Sequence, residues 1–310
     1  MKILVLVNSA AGSVGGSEDI AVRVEAAFVR QGAEAAVRTL PGPAIAAAAR
    51  EFVAAWSGKA GESGVLVAAG GDGTISAAAG VLAGTRVPLG ILPLGTLNHF
   101  AKDLGLPLEL DAAAGVIAAG HTRQVDVAEV NGRVFVNNSS IGLYPFMVAR
   151  RNAYQRQRGI GKLLATIPAL LETLRGASWH RLEIAAAGQR LRVRTPCIFV
   201  GNNPYQVDLT AFGSRPRLDT GELDIRVIRQ QSRLGILLLP FKIALGLVHP
   251  ERDVQAFHAA DLEIASHRHR RRSLQVSLDG EIVRMDTPLR YRSRPAALRV
   301  LCGPSPAGDA

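Results

Sequence analysis

Over the first 125 residues, short apolar runs alternate with stretches of helical periodicity. Ile3–Val7 reads as a strand, Ser17–Arg30 as a helix with Ser17 at its N-cap, and Ala35–Thr39 as a second strand. An alanine-rich helix follows over Ile45–Trp56, then a strand at Val65–Ala68, a small-residue helix ending near Leu82, and a strand at Val87–Leu92. Strands that are apolar on both faces and alternate with helices predict a parallel sheet covered on both sides.

The pattern changes near Val125. Val125–Val130 and Val134–Asn138 flank Asn131-Gly132, a dipeptide that supplies the positive φ angles of a tight hairpin turn. Arg181–Ala186 and Leu191–Val193 flank another short turn, and Cys197–Gly201, Glu222–Ile228, Asp261–Ala265, Leu274–Leu278 and Leu289–Tyr291 are further strand-like runs. Helical stretches at Lys162–Leu174 and Leu234–Val248 interrupt them. The expectation is an α/β protein of two domains: a parallel-sheet domain over residues 1–124, and an antiparallel β-rich domain over 125–295. A Pro/Gly/Ala-rich tail occupies 304–310.

Composition narrows the class. The 310 residues are 48% hydrophobic and 20% charged, which excludes wholesale disorder. The two cysteines, Cys197 and Cys302, lie far apart, which excludes a disulfide scaffold or a cysteine zinc site and suits a reducing, cytoplasmic setting. The Ile3–Val7 run is too short for a signal-peptide core, and Pro240 and Lys242 interrupt the apolar stretch at Leu234–Val248, so no spanning segment is expected. The net charge of +10 is unevenly placed: residues 1–125 carry nine basic and ten acidic side chains, and residues 126–310 carry 27 and 16. A basic half of this kind faces nucleic acid, an anionic membrane or a phosphorylated ligand. Aromatics are only 5% and are not interleaved with the basic runs, so a nucleic-acid partner is not expected.

Three loops fall where strand ends meet helix starts: Asn8-Ser9-Ala10-Ala11-Gly12, Gly70-Gly71-Asp72-Gly73-Thr74 and Pro93-Leu94-Gly95-Thr96-Leu97-Asn98. Glycine lets backbone amides approach phosphate oxygens, and a helix N-terminus favours negative charge. In an open parallel sheet, ligands collect beyond the carboxyl ends of the strands, so three such loops predict one phosphate-bearing ligand. Neither a Walker P-loop nor a Gly-x-Gly-x-x-Gly fingerprint is present.

The ordered set of motifs resembles the diacylglycerol kinase catalytic-domain family of lipid kinases. Gly70–Thr74 after a buried strand, Pro93–Asn98 after the next, the opening Asn8–Gly12 loop and the late Asp279-Gly280-Glu281 all match its pattern, from Lys2 to about Leu301. The resemblance implies a nucleotide-binding α/β domain followed by a β-sandwich domain holding a lipid pocket, with about 296–303 returning to the first domain. It implies ATP contacts at Asn8, Ser9, Ala10, Ala11, Gly12, Thr39, Gly70, Gly71, Asp72, Gly73, Thr74, Ile75, Ser76, Ala77, Gly95, Thr96 and Asn98. Asp72 would organise Mg²⁺ and the phosphates, and either Asp279 or Glu281 would take the proton of the lipid hydroxyl. By position, Arg217, Thr220 and Glu222 would complete a further metal site. This chain departs from the pattern at His99 and Thr220, where the family usually has Asp, and a hydroxyl is a weaker magnesium ligand than a carboxylate.

The implied activity is ATP- and Mg²⁺-dependent phosphorylation of diacylglycerol or a related lipid. The alternatives are an NAD kinase-like enzyme and a catalytically impaired lipid- or nucleotide-binding regulator. The implied partners are the lipid substrate, an anionic membrane met peripherally and a second copy of the chain. Arg150-Arg151, Arg156, Arg158 and the run Arg268–Arg272 are the candidates for headgroup contact, and Tyr144–Ala149, Leu163–Leu171 and Leu234–Val248 those for acyl chains.

Overall fold

The computed structural model describes residues 2–10, 17–56, 64–143, 179–206, 213–244, 246–247, 249, 252–266 and 273–304. Strands β1 (Lys2–Asn8), β2 (Ala35–Leu40), β3 (Gly64–Gly70) and β4 (Leu89–Pro93) lie parallel in the order β2-β1-β3-β4. Every residue of β3 and β4 is buried, as their uninterrupted apolar runs require of strands covered on both faces. Helices α2 (Ile45–Trp56) and α3 (Asp72–Leu82) cover one face, packing Ile45, Ala49, Ile75 and Ala79 against Leu6, Leu66 and Leu89. Helices α1 (Ser17–Arg30) and α5 (Leu110–Ala119) cover the other, where Val24, Phe28 and Ile117 meet Val5, Val67 and Leu92. A short helix α4 (His99–Asp103) follows the Pro93–Asn98 loop and buries Phe100 and Ala101.

The rest is antiparallel, as its turn chemistry predicts. Strands β7 (Asn138–Gly142), β10 (Cys197–Asn202), β11 (Leu223–Ile228), β12 (Val254–Ala259), β14 (Ser273–Leu278) and β15 (Glu281–Asp286) form a six-stranded sheet in the order β12-β11-β10-β7-β14-β15. Facing it are β5 (Thr122–Val130), β6 (Arg133–Phe135), β8 (His180–Ala186), β9 (Gln189–Thr195), β13 (Asp261–Ser266) and β16 (Leu289–Leu301). The inward side chains of the two sheets, among them Ile141, Val200, Val276, Ile184, Leu262 and Tyr291, make one apolar core, so the second unit is a sandwich. Helix α6 (Arg233–Ala244) follows β11.

The two units share a sheet. β16 pairs with β13 and β5 in the sandwich, then shifts register between Arg294 and Leu298, and pairs Val300 with Leu89 of β4 in parallel. Asp126 fixes that shift: its Oδ1 accepts the Ala296 amide at 2.8 Å, and Ala296 itself has φ +51°.

Candidate active site

Two of the glycine-rich loops meet backbone to backbone. A Cβ on Gly95 would collide with Gly71 Cα and lie 2.7 Å from Asn98 Oδ1, so only glycine fits. Asn98, held at φ +50°, ties its own loop: Oδ1 accepts the Gly95 amide at 3.0 Å, and Nδ2 donates to the Gly95 carbonyl at 2.9 Å. The Leu94 amide donates to the Gly70 carbonyl at 3.0 Å. The first loop joins them through Asn8, whose Nδ2 donates to Thr74 Oγ1 at 2.8 Å while its Oδ1 accepts the Ala10 amide at 3.0 Å. Gly70 leaves space for Thr74, since a Cβ there would lie 2.5 Å from Thr74 Oγ1.

Asn8, Gly70–Thr74 and Gly95–Asn98 therefore form one rim beyond β1, β3 and β4, with the N-terminus of α3 at its centre. The Thr74 and Ile75 amides donate to the Gly71 carbonyl at 2.9 and 3.1 Å, and the amides of Asp72 and Gly73 precede that first helical bond. This donor set and the close glycine approach fit the phosphates of a nucleotide. Thr39 is exposed on β2 opposite Val7, Thr96 is exposed on its loop, and Ser9 donates its amide to the Leu40 carbonyl. Ile75 buries its side chain in the core, so only its backbone faces this chemistry. Ala11 and Gly12 lie outside the described residues, as do Tyr144–Ala149, Leu163–Leu171, Arg150, Arg151, Arg156, Arg158 and Arg268–Arg272.

The Asp279-Gly280 pair closes the β14–β15 hairpin with φ +46° and +88°, the left-handed angles of a tight turn. The turn is also a junction. Asp279 Oδ1 accepts the amides of Asn137 at 2.8 Å and Asn138 at 2.9 Å; Oδ2 accepts the Val136 amide at 2.8 Å and the Ser76 hydroxyl at 2.6 Å. Burial holds the Asp279 carboxyl above its usual range, and these four donors pull against that shift. Glu281 is exposed, and its Oε1 lies 3.7 Å from where a Cβ of Gly73 would stand. The hairpin thus brings a solvent-facing carboxylate beside the phosphate loop, while Asp279 is occupied holding the hairpin there. Ser76, expected at the nucleotide, directs its hydroxyl to Asp279.

Asp72 opens α3, and its Oδ1 accepts the Phe100 amide at 3.3 Å. Magnesium is commonly held by one or two carboxylates together with substrate phosphates, so Asp72 at this rim fits a nucleotide-borne Mg²⁺. The other expected ligands stand in a different neighbourhood. Thr220 donates its hydroxyl to Asn203 Oδ1 at 2.8 Å, Glu222 is exposed, and the Arg217 guanidinium, itself a cation, pairs with Asp219 at 2.9 Å. Among the described residues, no group of three or more His, Cys, Asp or Glu side chains gathers as a metal site. His99 is exposed at the start of α4.

The layer behind Asp279 leaves no mark in the sequence motifs. Tyr205 packs edge-on against Phe199, with ring centroids 5.3 Å apart, and donates its hydroxyl to the Asn137 carbonyl at 3.0 Å. Burial pushes its phenol up to about 12, so it stays a donor at neutral pH. Arg215, buried between the two units, pairs with Asp103 at 2.7 Å. Neither residue lies in a recognisable motif.

The diacylglycerol kinase catalytic domain matches residues 2–130, and the YegS C-terminal, NAD kinase β-sandwich-like domain matches residues 147–302. A probable YegS-like lipid kinase of Pseudomonas fluorescens is 30% identical over 76% of this chain and 76% of its own length. A diacylglycerol kinase of Staphylococcus epidermidis is 41% identical over 26% of each chain. The chain spans 54% of the length of another relative, from Synechocystis. The crystal structure of a putative diacylglycerol kinase from Bacillus anthracis has the same fold, with a TM-score of 0.74 over 98% of each chain at 24% identity. The rim of glycine loops, the sandwich and the carboxylate hairpin between them are those of a chain that belongs to the family of diacylglycerol kinase- and YegS-like lipid kinases.

Proposed function

We propose that this protein transfers the γ-phosphoryl group of ATP to a hydroxyl of diacylglycerol or a related lipid, with Glu281 as the base. The observation that carries the reading is the Ser76–Asp279 bond, which fastens the hairpin to α3 and sets Glu281 beside Gly73. Phosphoryl transfer is chiefly positioning and charge neutralisation. The rim amides and the α3 N-terminus hold the triphosphate, and Asp72 would hold Mg²⁺, which when bound would neutralise the charge of the phosphates. Glu281 takes the proton of the lipid hydroxyl as that oxygen bonds to the γ-phosphorus, and ADP leaves. Asp279 accepts four hydrogen bonds and keeps the hairpin in place, a role that suits it better than proton transfer.

Among the described residues, no helix is long and apolar enough to cross a membrane. The acceptor would be met at an anionic membrane surface on the cytoplasmic side, by the basic residues of the second half of the chain. The deciding experiment is transfer of labelled phosphate from ATP to a panel of lipids, with NAD as a parallel acceptor. Glu281→Gln should lose roughly 10²–10⁴-fold in transfer while ATP binding persists. Preferential labelling of NAD, or full lipid transfer by Glu281→Gln, would refute the assignment.

A further inference from the structure

Arg215 is among the most deeply buried side chains of the protein, and all five of its guanidinium N–H groups have acceptors. Nε donates to Asp103 Oδ2 at 2.8 Å, and Nη2 donates to the same oxygen at 2.7 Å and to Asn137 Oδ1 at 2.8 Å. Nη1 donates to the Val136 carbonyl at 2.6 Å and to the Asn202 carbonyl at 2.9 Å. The Arg215 amide adds a 3.2 Å bond to Asp103 Oδ1. The guanidinium carbon lies 5.9 Å from the Phe100 ring centre and 5.3 Å from that of Tyr205.

These contacts belong to both units. Asp103 and Phe100 sit on α4, the helix that issues from the Asn98 loop of the nucleotide rim. Val136 and Asn137 belong to the link between β6 and β7, whose amides hold Asp279. One fork therefore grips the carbonyl side of a segment whose N–H side grips the hairpin carboxylate. We infer that Arg215 is a positioning residue for phosphoryl transfer: anchored on Asp103, it fixes the Val136–Asn138 segment, and through Asp279 it sets where Glu281 stands relative to the phosphate rim. The inference rests on the proposed lipid-kinase reading for its catalytic consequence, though not for its structural one. Lysine cannot replace the fork, having three donors at a single point.

The test has two arms. In Arg215→Lys, amide hydrogen exchange at Val136, Asn137 and Asn138 should quicken at least ~10-fold, while exchange at Thr74 and Ile75 stays within about twofold of wild type. In the same variant, kcat for lipid transfer should fall roughly 10- to 100-fold, the scale of a small misplacement, with ATP Kd held within about threefold. Asp103→Asn, which keeps the shape and drops the charge, should show the same pattern more weakly, and it serves if Arg215→Lys does not fold. The paired change Arg215→Met with Asp103→Leu removes both charges. It should regain the melting temperature without regaining transfer or slow exchange. Unchanged exchange at 136–138, ATP affinity lost in step with kcat, or transfer restored by the paired apolar change would each overturn the proposal. Should wild type label no lipid at all, the lipid reading fails, and the exchange arm alone still decides whether Arg215 holds the segment.

Discussion

Ser76 Oγ donates a 2.6 Å hydrogen bond to Asp279 Oδ2 across 203 positions of sequence. That bond ties the helix of the phosphate loop to the hairpin of the sandwich. Removing a hydrogen bond to a charged acceptor costs about 1.5–3 kcal/mol. Ser76→Ala should lower stability by that order in chemical denaturation and reduce lipid transfer well beyond any loss in ATP affinity. Equal losses in both would instead place Ser76 at the nucleotide.

The Asp279 carboxyl carries a pH signature. Because burial raises its folded pKa above the usual 3.8, the native state keeps a proton that the unfolded chain has already released. Stability therefore falls as pH rises from about 4 through that raised value. Asp279→Asn does not titrate, so the advantage of wild type over this variant should be greatest at the acid end of the window and shrink as pH rises. An advantage that widens with pH would show that the four hydrogen bonds outweigh burial.

The two crossing glycines should differ in tolerance. A methyl group on Gly95 would enter Gly71, whereas one on Gly71 would rest 3.4 Å from Gly95 Cα, an ordinary contact. Gly95→Ala should then weaken ATP binding at least ~10-fold, or 1.4 kcal/mol, and Gly71→Ala much less, as read by calorimetry. Valine at Gly71 adds bulk in the same direction and should behave more like Gly95→Ala. Equal tolerance at the two positions would mean the loops part easily.

The Arg268–Arg272 run bears on membrane contact. Replacing its four arginines with glutamine should weaken binding to anionic vesicles at low salt and flatten the salt dependence, since screening at about 8 Å governs such attraction. Identical binding of both proteins to anionic and neutral vesicles would leave the run a solvated face.

Much of this architecture can be read from the chain because its local signals agree with its packing. The buried strand before Gly70-Gly71, the helix from Asp72 to Leu82 and the Asn131-Gly132 hairpin all carry strong local chemistry, and each appears in the structure. Helix α4 has only five residues, α5 is alanine-rich with little polar contrast, and β15 reads Glu-Ile-Val-Arg-Met-Asp, whose charged edge hides its strand period. At the site, the loops are legible because glycine spacing is a local property. Asp279 is legible too, but not its work, for its donors lie at 76 and 136–138. Nor is Arg215, whose partners come from three separate segments and leave no periodic trace.

β16 has a consequence for how the protein is made. Leu298 and Val300 complete the core beneath α2 and α3, and Leu301 completes the one beneath α1 and α5. A ribosome therefore releases all of the nucleotide-binding helices long before the strand that finishes their sheet. Until that strand arrives, β4 presents an open edge, the kind of surface that recruits other strands or chaperones. Translation stalled anywhere between Ala119 and Leu289 would leave a nascent chain with its glycine loops and their helices synthesised and its sheet unfinished.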